Sequence, residues 1–276
     1  MPEFDRSTPV TVALKVPSGR VDITAEDRLT VVADVQPMDG SEASRQAAEN
    51  TQVTLDGDTL IIRAPEQHGW GFRRTGKLRV TVRVPPDSSL ACDLASADLT
   101  ATGRYGTAQV KLASGDLRLG DVTADAVLES SSGDLTVGQV GGSLRINTAS
   151  GDQRAGDVIG DVKAEAASGD IQIHGVGGSA TVKVASGDIK VGLLRAGEAR
   201  LSAASGDVRV GVLAGTGVWL DVSTAAGRTR NELAMGADAP GATAASTGAQ
   251  LELRIRTASG DIDIRRVTDS TSKLAA

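Results

Sequence analysis

Aromatic residues are scarce in this sequence. They make up 2% of its 276 residues, whereas glycine occurs 33 times and hydrophobic residues account for 40%. The hydrophobic share is sufficient for a sizeable buried core. Because large rings are nearly absent, that core must be filled by Val, Ile, Leu and Ala, a composition that favours a thin and regular interior.

Cysteine and histidine are almost absent too. The single cysteine, Cys92, excludes an intramolecular disulfide framework and any site with several cysteine ligands. A lone cysteine of this kind is usually a small buried apolar residue. The two histidines, His68 and His174, have no neighbours in sequence that resemble a catalytic triad, a metal cluster or a phosphate-binding loop. We therefore expect a protein that is not an enzyme and uses no cofactor.

Long apolar runs and basic clusters are also missing. No stretch of about 18 apolar residues could span a membrane, and the first residues, MPEFDRSTPV, lack the basic and apolar regions of a signal peptide. The net charge is −6, and no cluster of Lys and Arg offers a nucleic acid a binding surface. We expect a soluble cytoplasmic protein with no transmembrane segment and no nucleic-acid partner.

The motif Ser-Gly-Asp, in contrast, is abundant. From Asp116 to Asp188 its aspartate recurs at every eighteenth position, the next step is one position longer, and a degenerate copy places Asp98 one regular step upstream. A divergent copy, STAAGRTR, has Gly227 at the glycine position. The aspartates of the intact motif are Asp116, Asp134, Asp152, Asp170, Asp188, Asp207 and Asp261. A fixed period of this kind is typical of a repeat architecture.

Each repeat carries apolar residues at alternating positions, as in Leu117 and Leu119 or Ile189 and Val191. This period of two predicts strands with one buried face, separated by glycine-centred turns. Because two short strands cannot bury their apolar face alone, successive units must stack. The sequence predicts an all-β fold, a β-solenoid of about eight 18-residue two-stranded repeats. An antiparallel β-sandwich built from the same repeats is the alternative.

The two ends lack the repeat. We predict an N-terminal non-repetitive β cap at 1–90, a repeat domain at 91–268 with an insertion near 229–249, and a disordered tail at 269–276. Within the cap, six alternating segments read as strands, and SEASRQAAEN is the one plausible short helix. A cap is needed because an open coil exposes an unpaired strand edge.

The motif aspartates are the candidate site. Stacked at one per coil, about 5 Å apart, they would repel by roughly 1 kcal/mol per neighbouring pair in a water-like dielectric. We expect Ser and Asp to act as turn residues that hydrogen-bond local backbone N–H groups. The alternative is a calcium ladder formed by Asp116, Asp134, Asp152, Asp170, Asp188 and Asp207, although the sequence lacks the Gly-Gly-x-Gly-x-Asp pattern of calcium-binding β-rolls.

One loop, EQHGWGFRRTGK, gathers Trp70 and Phe72 beside Arg73 and Arg74. Rare aromatic residues next to arginines have the composition of a binding hot spot, so these four residues are candidates for partner binding. The alternative is that the rings fold down and seal the end of the solenoid.

The repeats from Asp98 to Val267, together with the stretch GVWLDVSTAAGRTRNEL, resemble a bacterial family labelled "putative adhesin". That family is a domain of unknown function with β-strand repeats, and relatives are associated with the cell envelope and its stress responses. The resemblance implies a β-repeat fold and no defined catalytic or ligand residues. We predict a non-enzymatic scaffold for protein interaction or assembly, with an unknown protein partner or self-association through an open end. The alternative is an adhesin-like envelope protein that depends on calcium.

Overall fold

A computed structural model describes residues 2–65, 76–233 and 250–268 of the protein. These residues form 23 β-strands and one short α-helix, which confirms the predicted all-β class. The chain divides into two compact units, Met1–Gly142 with Asn147–Ser150 and Ser143–Ile146 with Gly151–Ala276. No helix in the described ranges is long and apolar enough to cross a membrane.

The elements of the N-terminal unit follow one another in a simple order. They are β1 (Glu3–Asp5), β2 (Thr11–Ala25), β3 (Thr30–Pro37), α1 (Glu42–Glu49), β4 (Gln52–Asp56), β5 (Thr59–Arg63), β6 (Leu78–Val84), β7 (Ser89–Tyr105), β8 (Ala108–Ser114), β9 (Leu117–Val122), β10 (Ala126–Ser132) and β11 (Leu135–Val137). The next strand, β12 (Leu144–Ser150), has residues in both units.

Each coil of this unit contributes one strand to each of two parallel stacks. The first stack holds the strands before the Ser-Gly-Asp turn, where β8 pairs in parallel with β7 and β10. The second stack holds the strands after the turn, where β9 pairs in parallel with β7 and β11. The parallel pairing confirms the predicted β-solenoid and excludes the antiparallel sandwich.

The parallel stacking extends into the region predicted as a non-repetitive cap. β2 pairs with β7 along nearly its whole length, and its Ser18-Gly19-Arg20 lies opposite Ser96-Ala97-Asp98. β2 is therefore a coil of the solenoid. Beyond it, β5 and β6 still pair in parallel with β2. The outermost strands of this end pair in antiparallel orientation: β4 pairs with β5, β3 pairs with β6, and β1 pairs with β3.

The predicted helix is confirmed as α1. Its N-cap is Ser41, whose hydroxyl accepts a hydrogen bond from the backbone N–H of Ser44 at 3.1 Å. A serine in this position satisfies an N–H group that the first turn of a helix cannot pair internally. Ser44 and Ala47 are buried, so this face of the helix packs onto the unit.

The C-terminal unit consists of strands alone within the described residues. They are β13 (Gln153–Val158), β14 (Val162–Ser168), β15 (Ile171–Val176), β16 (Ala180–Ser186), β17 (Ile189–Leu194), β18 (Gly197–Ser205), β19 (Val208–Leu213), β20 (Gly217–Ala226), β21 (Thr229–Asn231), β22 (Gln250–Ser259) and β23 (Ile262–Val267).

The strands of this unit also form two parallel stacks. The first runs β14, β16, β18, β22, β20 and the second runs β13, β15, β17, β19, β23, β21. β22 and β23, the last described strands of the chain, therefore lie inside the two stacks. They separate the coil formed by β18 and β19 from the divergent coil formed by β20 and β21. The divergent copy of the motif is therefore the terminal coil of this unit, although it precedes the last intact copy in sequence.

The core consists of the alternating apolar residues predicted from the repeat. Val182, Ile189 and Val191 are each at most 1% exposed, and small aliphatic residues recur at the equivalent positions of other coils. Burying one such side chain contributes about 1.5–3 kcal/mol. Tyr105 is the one aromatic ring of the core among the described residues, and it donates its hydroxyl to the carbonyl oxygens of Ile23 and Thr102 at 3.0 and 2.9 Å.

The predicted boundaries of the cap, the repeat domain and the insertion remain predictions. Residues 269–276, predicted as a disordered tail, and most of the predicted insertion near 229–249 lie outside the described residues.

Candidate functional site

The motif aspartates form a hydrogen-bonded ladder in each unit. In the N-terminal unit, Oδ1 of Asp98 accepts from the backbone N–H of Asp116, and Oδ1 of Asp116 accepts from the N–H of Asp134, both at 3.1 Å. The C-terminal unit repeats this bond at 2.8–3.0 Å. There, Oδ1 of each aspartate accepts from the backbone N–H of the motif residue in the next coil. The pairs are Asp152 with Asp170, Asp170 with Asp188, Asp188 with Asp207, Asp207 with Asp261, and Asp261 with Arg228.

The donor differs from the one expected for a turn residue. In each of these bonds the donor is a backbone N–H of the next coil, whereas the sequence predicted a donor in the same turn. The bond between Asp188 and the N–H of Asp207 spans 19 residues of sequence. The aspartates therefore connect successive coils.

Basic side chains reduce the repulsion within the ladder. Arg154 lies 2.8 Å from Oδ2 of Asp152, and Arg209 lies 2.8 Å from Oδ2 of Asp207 and 3.3 Å from Oδ2 of Asp188. These arginines occupy the outward position two residues after the aspartate. Exposed ion pairs contribute little individually, so the backbone N–H donors are the main stabilisers of the carboxylates.

The motif glycines form a second column beside the ladder. Each has a φ between +111° and +154°, a region that residues with a side chain rarely adopt. A Cβ atom at any of these positions would lie 2.0–2.3 Å from a backbone oxygen of the adjacent coil. The glycines are Gly115, Gly133, Gly169, Gly187, Gly206, Gly227 and Gly260, and Gly151 has the same conformation with a φ of +113°. Glycine is therefore required both for the turn and for close stacking.

The calcium ladder remains a hypothesis. Within the described ranges, no group of three or more His, Cys, Asp or Glu side chains is arranged to hold a metal ion. Calcium requires six to eight oxygen ligands, whereas each ladder provides one aspartate per coil and uses its Oδ1 for a backbone hydrogen bond.

The remaining candidates from the sequence lie apart from the ladder or outside the described residues. His174 is 3.0 Å from Asp157 through Nδ1 and is largely exposed. Cys92 is buried, and burial raises the pKa of its thiol to about 12, so it remains an unreactive thiol at neutral pH. Trp70, Phe72, Arg73 and Arg74, together with His68, lie outside the described residues.

Sequence reasoning missed an exposed aromatic residue, Trp219, in the terminal coil. Its side chain is 55% exposed, and the guanidinium of Arg254 lies 5.5 Å from the ring centroid. This distance is within the range of a cation–π contact. Trp219 stands in the stretch GVWLDVSTAAGRTRNEL, which the sequence analysis singled out, but nothing in that stretch shows that this coil is terminal.

Two parallel stacks, a column of glycines and ladders of coil-connecting aspartates define a β-solenoid repeat protein. A family model gives the same result at the level of sequence. The chain belongs to the Toastrack DUF4097 family, whose model matches residues 11–232. The predicted membership of a bacterial family of unknown function is thereby confirmed.

Solved structures are similar to this chain over most of its length, at low identity. One is described as a putative adhesin from Parabacteroides distasonis, with 12% identity, 96% of this chain and 95% of that chain covered, and a TM-score of 0.44. A putative adhesin from Bacteroides fragilis has 9% identity, the same coverage and a TM-score of 0.41. A putative lipid binding protein from Parabacteroides distasonis has 14% identity, again the same coverage, and a TM-score of 0.41. No curated protein matches the chain.

Proposed function

We propose that this protein is a non-enzymatic scaffold for protein interaction or assembly. The observation that supports this proposal is the structural use of the motif residues. The aspartates accept backbone hydrogen bonds from the next coil, and the glycines allow the coils to stack. The most repeated polar residues thus maintain the solenoid, and its outward side chains are available to partners.

The outward side chains support the same proposal. Lys111 and Glu129 face each other on adjacent strands and form an ion pair at 3.2 Å, and Glu165 and Lys183 do so at 3.7 Å. Alternating charges of this kind keep the outer face of a stack flat and hydrated. A partner would recognise such a face through its charge pattern, which gives specificity more than affinity.

The predicted partner-binding residues provide the test. We expect a specific protein partner to co-purify with the full chain from its native host. The double variant Trp70→Ala with Phe72→Ala should lose that partner, because aromatic residues and arginines carry most of the binding energy at protein interfaces. Trp219→Ala is the matched control, since it removes an exposed ring that lies outside the predicted loop.

The outcomes separate the alternatives. Loss in the double variant and retention in the control would support the loop as the binding surface. Retention in both would assign Trp70 and Phe72 to sealing the end of the solenoid. A chain that enriches no specific protein and forms no assembly would contradict the scaffold, as would a catalytic activity that disappears in His174→Gly.

The proposed compartment is the cytoplasm, and fractionation of the native host with an antibody against the chain tests it. Recovery from the envelope fraction would instead favour an adhesin-like role, as the names of the structural neighbours suggest.

A further inference from the structure

We propose that copies of this chain assemble head to tail. In this contact, the terminal coil of the C-terminal unit, β20 and β21, docks against β4 and β1 of the N-terminal unit of a second copy. The inference deepens the proposed function and rests on it, because it names one partner of the scaffold as a second copy of the chain. Its basis is the open edges, the apolar residues and the charges of these four strands.

The terminal coil has an open edge. Within the described residues, β20 pairs only with β22 and β21 only with β23, so one side of each strand is unpaired. An open strand edge is a template for pairing with another chain.

The terminal coil also has incompletely buried apolar side chains. Val218, Leu220 and Val222 are half-buried, although they lie opposite Leu251, Leu253 and Ile255, which are each at most 1% exposed. The inward face of β20 thus has the same apolar pattern as the strand beneath it. A further layer of strand would bury it.

The second strand of the terminal coil is basic and polar. Arg228 and Arg230 are exposed, and Thr229 and Asn231 lie opposite the buried Ile262 and Ile264. The apolar part of the terminal surface therefore lies on β20, and β21 carries two arginines, of which Arg230 pairs with Glu232 at 3.3 Å.

The N-terminal unit has a matching edge. Among the described residues, β4 pairs only with β5 and β1 only with β3. Val53 and Leu55 of β4 are half-buried, whereas Glu3 and Asp5 of β1 are exposed. Here β4 supplies two apolar side chains and β1 supplies two carboxylates, while Phe4 of β1 is also half-buried and Asp56 at the end of β4 is also exposed.

The two edges complement each other stack by stack. β4 and β20 each end the first stack of their unit, so apolar β4 would meet apolar β20. β1 and β21 each end the second stack, so acidic β1 would meet basic β21. Pairing of two identical edges would instead place like charges together, either Arg228 and Arg230 or Glu3 and Asp5. Charge therefore favours the heterologous contact over a two-fold dimer.

Sedimentation velocity of the full chain tests the proposal. At low salt, about 0.05 M, we expect species heavier than the monomer whose fraction rises with protein concentration up to about 100 µM. That fraction should fall at about 0.5 M salt, because salt screens the attraction between exposed charges. A chain that stays monomeric at low salt over this whole range would overturn the proposal.

Charge reversal at each edge gives the sharper test. The variant Arg228→Glu with Arg230→Glu and the variant Glu3→Lys with Asp5→Lys should each be monomeric. An equimolar mixture should assemble again, because each reversed edge then meets an edge of opposite charge. The control, Arg145→Glu with Lys190→Glu, makes the same charge change at exposed positions of the inner strands β12 and β17 and should assemble like the original chain. Circular dichroism verifies that every variant is folded.

Two results would contradict the proposed contact. One is assembly of either reversed variant on its own to the original extent, and the other is a mixture that remains monomeric. If a reversed variant fails to fold, the concentration and salt dependence of the original chain decides. A monomeric chain that still retains its partner from the native host would overturn this inference and leave the scaffold function intact.

Discussion

Replacing Asp188 with alanine removes one link between two coils. The backbone N–H of Asp207 loses its acceptor at 2.9 Å, and Arg209 loses a partner at 3.3 Å. The bond from the N–H of Asp188 to Asp170 remains, because it involves the backbone of residue 188. A hydrogen bond to a charged group contributes about 1.5–3 kcal/mol. Since the Asp188 side chain is 41% exposed, water replaces part of that contribution. We expect a loss of about 1–2 kcal/mol in the free energy of unfolding.

Urea denaturation followed by circular dichroism measures this loss. With a slope of about 2–3 kcal/mol per M, the midpoint should fall by roughly 0.5 M. Asp188→Asn is the matched control, because the amide retains an oxygen that can accept the N–H of Asp207 while the charge is removed. We expect this variant to lose less than half as much as Asp188→Ala.

Two results would refute the reasoning. Equal losses in the two variants would show that the charge of Asp188 is important and that its acceptor role is not. An Asp188→Ala variant as stable as the original chain would show that the ladder contributes nothing to the cohesion of the coils.

Three further predictions concern other residues. Gly187→Ala should lower the free energy of unfolding by more than about 3 kcal/mol, because the added Cβ would lie 2.2 Å from the carbonyl oxygen of Gly169. The control is Gly215→Ala, where φ is also positive but no atom lies within 4 Å of the added Cβ. It should lower the free energy of unfolding by about 1–2 kcal/mol in the same urea assay. Cys92 should not react with a thiol reagent until the chain unfolds, which a colorimetric titration with and without denaturant detects. Hydrogen bonds from the side chains of Ser41 and Ser44 lower the pKa of Asp39 from 3.8 to about 2. The stability that Asp39 provides is therefore present above about pH 4 and lost as the pH falls towards 2, and Asp39→Asn should weaken this dependence in an acid titration.

Much of the fold could be predicted because each coil repeats the same residues at the same positions. The alternation around Ile189 and Val191 predicted the strands, and the constant step between motif aspartates predicted their stacking. β2 was not predicted as a coil, although it is one. Four strands and a helix separate it from its partner β7 in sequence, and its Ser18-Gly19-Arg20 lacks the aspartate.

The order of the last coils could not be predicted for a different reason. The repeat specifies how a coil stacks, but every coil offers similar edges, so sequence order need not equal spatial order. In the structure, β22 and β23 lie between β18 and β19 on one side and β20 and β21 on the other. Trp219 is exposed because it occupies an outward position of β20, opposite Glu252 of β22.

The position of the candidate site could be predicted from the sequence, but the hydrogen-bond donors of its aspartates could not. The sequence placed the aspartates in a column and favoured turn residues over calcium ligands. It could not show which N–H each carboxylate accepts, because that depends on the offset between adjacent coils. With the coils in register, the carboxylate of Asp170 reaches the N–H of Asp188 at 2.9 Å.

Thermal unfolding with and without calcium tests most directly whether the motif aspartates connect successive coils or bind a metal ion. The chain is first treated with a chelator and then melted with and without millimolar calcium. If the carboxylates accept hydrogen bonds from the backbone of the next coil and bind no calcium, the melting temperature should be the same in both conditions. A melting temperature that rises with calcium and returns with chelator would contradict this account, because a ligand that binds the folded state stabilises it.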